Sequence, residues 1–287
     1  MTDLIELVHT DAQVILSPAS GGSIAAFRWR GRDVMRPATA EALAAGDPLG
    51  MASFPLVPWS NRIADGRFHW RGRDIALPRN MGDHPHAIHG HGWRNRWSVD
   101  AVTAETATLG YDHKADAWPW DYHAEQSFTM CGDGFDTTLS VTNHSDEAMP
   151  AGLGIHPYFP NLPATSLRAQ ADGWWATDAL IMPLTYVSAP SSDWTGKLHA
   201  ATTTDNVFAG FDGHATLGWS GMALDMQASP AARWMVIYAP IGEPIVGVEP
   251  VTHPTDALNQ PGLPGIRVLE PGERFEIEVH FRVSSLD

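Results

Sequence analysis

The chain has one cysteine, Cys131, in 287 residues. That excludes an intramolecular disulfide and any metal site built from several thiolates. Cations are scarce as well: 18 Lys and Arg stand against 33 Asp and Glu, a net charge of −15. Nucleic acids and anionic membranes both need clustered positive charge, so neither is an expected partner. No run of about 18 apolar residues occurs, so no helix is expected to cross a membrane. The start, Met1-Thr2-Asp3-Leu4, lacks the basic segment and apolar stretch of a secretory signal, and the expected location is cytoplasmic. The sequence also lacks a GxSxG elbow, a P-loop, an HExxH helix and a GxGxxG loop, which removes the common hydrolase, nucleotide and zincin readings. Gly152-Leu153-Gly154-Ile155-His156-Pro157 begins like a dinucleotide loop but has neither the third glycine nor a following helix.

What the sequence does contain points to strands. An apolar fraction of 44% can fill a sizeable core, while 26 glycines and 22 prolines imply many turns and few long helices. Phe275, Ile277, Val279, Phe281 and Val283 alternate with Glu276, Glu278, His280 and Arg282, the period-2 pattern of a half-buried antiparallel strand. Phe135 to Val141 and Trp234 to Tyr238 also read as strands. The best helical stretch, Thr39 to Ala45, is short. Trp29-Arg30-Gly31-Arg32-Asp33 is echoed by Trp70-Arg71-Gly72-Arg73-Asp74, and each Arg-Gly pair reads as the tight turn of a hairpin. The expectation is one all-β domain over residues 1–287, a large antiparallel β-sandwich with few short helices. Twelve tryptophans add candidate stacking platforms for sugars and other amphipathic ligands.

Four places could carry chemistry. Asp83-His84-Pro85-His86-Ala87-Ile88-His89-Gly90-His91 is rich in imidazole, and alternating His on a strand would put two on one face, a start for a metal site or simply a set of solvated loop histidines. Pro58-Trp59-Ser60-Asn61-Arg62-Ile63 sets Arg62 just before a Gly66 turn. Gly154-Ile155-His156-Pro157-Tyr158-Phe159 holds a lone His among aromatics. Ile245-Val246-Gly247-Val248-Glu249-Pro250 ends an apolar strand in a carboxylate, with Pro250 expected to stop the ladder.

Taken in order with their spacings, these segments resemble the aldose 1-epimerase (galactose mutarotase) family. The resemblance runs from Pro18–Asp33 through Asn61-Arg62-Ile63-Ala64-Asp65-Gly66-Arg67-Phe68, Ile88-His89-Gly90 and Trp97. It continues in His156-Pro157-Tyr158-Phe159, Glu249-Pro250-Val251-Thr252, Asp256-Ala257-Leu258-Asn259 and Leu269-Glu270-Pro271-Gly272-Glu273. It implies a galactose mutarotase-like supersandwich that interconverts α and β anomers of a free aldose by ring opening and closure. By similarity Glu249 is the general base for the anomeric hydroxyl and His156 the general acid for the ring oxygen. His89 and Arg62 bind the sugar, and Asp205 is the best match for a hydroxyl-binding carboxylate. No cofactor and no metal is implied; the one partner is a small-molecule sugar. Two other functions use the same scaffold. One is an epimerase of phosphorylated or sulfonated hexoses, for which Arg94 and Arg96 offer cations; the other is a non-catalytic carbohydrate-binding protein.

Overall fold

The computed structural model describes residues 4–286. Eighteen strands join in one large sheet, and only two short α-helices occur among these residues, Ala40–Ala45 and Thr195–Leu198. The first is the helix expected from the sequence: Thr39 caps it by accepting the Ala42 N–H at 3.1 Å, and Gly46 closes it at φ +64°. The expected strands form as Gly134–Asn143, Trp234–Ala239 and Arg274–Ser284. Both Arg-Gly pairs make hairpin turns with positive φ at both central residues, 50° and 72° at Arg30 and Gly31, 46° and 85° at Arg71 and Gly72. That is the turn whose twist matches the flanking strands.

The sheet folds back on itself. Tyr122–Cys131, Gly134–Asn143 and Arg274–Ser284 pair antiparallel in one layer. Ala12–Ser17 and Ser23–Trp29 pair in the facing layer. Alternate residues of the two layers meet: Phe27 lies 4.9 Å edge-on from Phe135, which stacks 4.8 Å from Phe281. Nine of the twelve tryptophans are buried, including Trp59, Trp97, Trp118 and Trp120, each at most 2% exposed. Most of the tryptophan therefore fills the core.

Five strands position the site, in the spatial order Thr204–Ala209, Trp234–Ala239, Ile245–Val251, Gly154–Pro160 and Ser53–Leu56. Pro250 does not stop the ladder as expected. Its strand continues to Val251, with Pro250 opposite Met235 and Val251 opposite Trp234. The effect of proline appears on the other edge. Gly154 pairs with Val251 and Tyr158 with Gly247, but no pairing joins the residues between them. Pro157 and Pro250 lack the N–H groups a complete ladder requires, so the two strands run side by side there with rungs missing.

Candidate active site

Register explains why His156 and Glu249 meet. Each lies two residues inward from the bonded pairs that flank the gap, so they face each other on the same side of the sheet. His156 Nε2 is 3.1 Å from Glu249 Oε1. The same row continues on both sides: Val236 is opposite Glu249, Val207 opposite Val236, and Phe54 opposite His156. The adjacent row on this face carries Asp205, Tyr238, Gly247 and Tyr158. Gly247 leaves space between the two rows. A β-carbon there would sit 3.4 Å from Glu249 Oε1, from His156 Cε1 and from Tyr238 Cβ.

Loops close the other side. Arg62 and Ile63 pair with Ile88 and Ala87, a two-rung ladder that brings Arg62 beside His89. Asn61 and His89 both adopt left-handed backbone, φ 54° and 60°, and bond reciprocally. The Asn61 N–H donates to His89 Nδ1 at 3.0 Å, and the His89 N–H donates to the Asn61 carbonyl at 3.0 Å. Since His89 Nδ1 accepts, the proton of the neutral ring is on Nε2. The Asn61 side-chain oxygen accepts from Arg62 Nη1 at 3.1 Å, and Arg62 Nη2 donates to Asp205 Oδ2 at 3.2 Å. From below, the Asp256 N–H donates to the Arg62 carbonyl, and Asp256 Oδ1 accepts the Ala64 N–H.

These elements enclose a cleft of about 180 Å³ lined by Arg62, His89, His156, Asp205 and Glu249, together with Asn61, Met81, Tyr158 and Tyr238. All five residues named from the sequence thus face one cavity. Tyr158 and Tyr238 were not singled out beforehand, although alternation along Trp234–Ala239 puts Tyr238 on the face of Val236 once Glu249 is known to pair there. Among the described residues no tryptophan lines the cleft, which corrects the expectation of a tryptophan platform there.

Burial sets the electrostatics. His156 is 5% exposed and Glu249 2%. Desolvation raises the Glu249 carboxyl well above its usual range; nearby Asp205 adds to the rise and Arg62 opposes it. Desolvation also lowers His156 to about 3. Both shifts favour a neutral pair with one proton between carboxyl and imidazole. His89 is held well below its ordinary value by burial and then by His156 and Arg62. Asp205 is raised by burial, against the pull of Arg62.

The histidine-rich segment does not behave as one strand. Only Ala87 and Ile88 are extended, and its histidines part company. His86 Nδ1 accepts the Asp65 N–H at 2.9 Å, His89 enters the cleft, and His91 turns the other way. His91 Nδ1 lies 3.1 Å from the Tyr122 hydroxyl, and its ring stacks on His113 at 4.4 Å and 3°. His91, His113 and Asp116 bring possible ligand atoms together. However, the in-plane lone pairs of two parallel rings run side by side and do not converge on one ion.

The profile of the family described as aldose 1-epimerase matches residues 3–282. The chain belongs to the aldose 1-epimerase family. It is 30% identical over 284 residues to an uncharacterized Escherichia coli protein, YphB, covering 93% of this chain and 94% of that one. A crystal structure of a candidate aldose 1-epimerase from E. coli K12 superposes with a TM-score of 0.89 at 28% identity, covering 99% of both chains. A Caenorhabditis elegans homologue of GalM/aldose epimerase shares the fold at a TM-score of 0.81 and 19% identity, over all of both chains. An aldose 1-epimerase fold built on a large antiparallel sandwich accounts for the sheet that carries this cleft.

Proposed function

We propose that this chain is a mutarotase that interconverts the α and β anomers of a free, uncharged aldose, acting as one domain over residues 1–287 in the cytoplasm. The observation that carries the reading is the buried His156–Glu249 pair, 3.1 Å apart on the cleft floor beside Arg62 and Asp205. Ring opening removes one proton from the anomeric hydroxyl and adds one to the ring oxygen. A base and an acid that together hold one proton match that stoichiometry. Sugar hydroxyls entering the cleft donate to Glu249, and with Arg62 they favour its ionised form, leaving the proton on His156. Glu249 then takes the anomeric proton while His156 protonates the ring oxygen, and the C1–O5 bond breaks. The aldehyde turns about C1–C2 and closes on its other face with both transfers reversed. His89, protonated at Nε2, donates toward the ring oxygen, while Arg62 and Asp205 hold hydroxyls.

Among the described residues the cleft lining offers one cation, Arg62, and it is already bonded to Asp205 and Asn61. Arg94 lies over the Trp93 ring at 4.0 Å and does not line the cleft. A dianionic phosphate needs more positive charge than this, which disfavours the phosphohexose reading. The test is saturation-transfer NMR between anomers of pure glucose, galactose, arabinose, fucose and sulfoquinovose. Faster exchange of an uncharged sugar supports the proposal. Sugar binding with no faster exchange would replace it with the non-catalytic binding protein.

A further inference from the structure

Asn80 grips the backbone on both sides of His89. Its Oδ1 accepts the Ile88 N–H at 2.8 Å, and its Nδ2 donates to the Ile88 carbonyl at 2.6 Å and to the Gly90 carbonyl at 3.2 Å. The residue between, His89, is left-handed at φ 60° without being glycine. Such a conformation persists only where its surroundings over-determine it. Gly90, at φ 71°, approaches Val57 so closely that a β-carbon would lie 2.0 Å from the Val57 carbonyl oxygen, so the backbone beyond His89 is also confined.

We propose that Asn80 is a positioning residue: it holds His89 in the left-handed turn that lets the Asn61 N–H occupy Nδ1 and leaves Nε2–H facing the cleft. Asn80 does not line the cleft and touches no substrate; it acts through His89. All three of its bonds go to main-chain atoms of Ile88 and Gly90, so its effect is on the direction of the His89 backbone. If the turn relaxes toward ordinary φ, the His89 ring swings away from the Asn61 N–H. Nδ1 then loses its donor, the tautomer is no longer fixed, and the hydrogen bond aimed at the ring oxygen is lost or displaced. A displacement of about 1 Å in a catalytic group can cost about 10²-fold in rate.

The proposal rests on the mutarotase reading for its kinetic consequence, but its structural half is read independently. Full-length protein labelled with 15N in histidine reports which ring nitrogen of His89 carries the proton, the signal being assigned by its loss in His89→Gln. The wild type should show Nδ1 unprotonated and Nε2 protonated. Asn80→Ala should lose this single tautomer and lower kcat for anomer exchange by about 10–10²-fold, with a much smaller change in KM. Asn143 provides the structural control. It forms the same kind of clamp elsewhere, donating to the Glu147 and Leu269 carbonyls and accepting the Ser145 N–H. Asn143→Ala should lower Tm while leaving the His89 signal and kcat unchanged. If Asn80→Ala does not fold, Asn80→Asp serves: it keeps the acceptor for Ile88 but sets a carboxylate oxygen against two carbonyls, and the same loss is expected. A folded Asn80 variant with the wild-type His89 tautomer and wild-type kcat would overturn the proposal. A wild type that does not speed exchange would end the mutarotase reading, while the 15N result would still decide whether Asn80 positions His89.

Discussion

Replacing Glu249 by Gln keeps the shape of the side chain and removes its basic carboxylate. The group is 2% exposed and lies 3.1 Å from His156. A positioned general base contributes about 10²–10⁴-fold, which sets the loss in kcat at no less than about 10²-fold, or about 2.7 kcal/mol of barrier. His156→Asn should cost a similar factor. The two protons move in one ring-opening event, so the double variant should be little slower than the worse single one. Sugar affinity, measured by calorimetry, should change far less, because Arg62 and Asp205 remain. The pH profile adds an independent check. Activity needs one proton on the pair. A second proton arrives only as pH falls toward the His156 value of about 3, and the last leaves only at the raised Glu249 value. The rate should therefore hold as pH falls well below 6.5, and its alkaline limit should lie above the usual carboxylate range. Near-wild-type exchange in a folded Glu249→Gln protein, seen by saturation transfer, would refute the acid–base assignment.

Other perturbations follow from the same geometry. Arg62→Ala should raise KM more than it lowers kcat, since its hydroxyl contacts serve ground and transition states alike; a kcat loss at constant KM would move Arg62 into the chemistry. Gly247→Ala should fold, because the added methyl meets its neighbours at 3.4 Å, yet weaken sugar binding by filling the floor beside Glu249 and His156. Unchanged affinity by calorimetry would mean the sugar does not sit over Gly247. Acid should unfold the protein early. His253 is buried, His91 is half-buried, and both are lowered to about 4, so their neutral forms contribute stability that is complete above 6.5 and lost as pH falls through 4. At about 1.36 kcal/mol per pH unit, each loses at most about 3 kcal/mol. His253→Gln should flatten the dependence of urea-unfolding stability on pH between 6.5 and 4, and an unaltered slope would contradict this.

The elements that could be read from sequence are those set by local chemistry. Alternation in Phe275–Val283 fixes one strand whatever it pairs with, and Thr39 caps a helix through its own hydroxyl. The Arg-Gly turns declare themselves because few residues tolerate positive φ in succession. Pairing between distant segments is a different matter. Glu249 and His156 stand 93 positions apart, and nothing within either segment states that the two share a register. Only the resemblance joined them. The expectation that Pro250 ends its strand followed from counting the missing donor on one edge alone. The chain instead keeps the Trp234–Ala239 edge intact and spends the missing rung on the His156 side.

Asn80 is the harder case, since Asn in a loop commonly serves its own turn and no period marks it. Its partners lie eight and ten residues ahead, inside the histidine-rich segment whose imidazoles drew attention first. That segment was also ambiguous in geometry, because alternation allowed either a strand with two imidazoles on one face or a loop of solvated histidines. Left-handed backbone at His89 and Gly90 breaks the alternation and sends His89 and His91 to opposite sides of the chain. The left-handed turn places His89 in the cleft, so the device that makes this histidine available for chemistry is also the one that hid its direction from a period-2 reading.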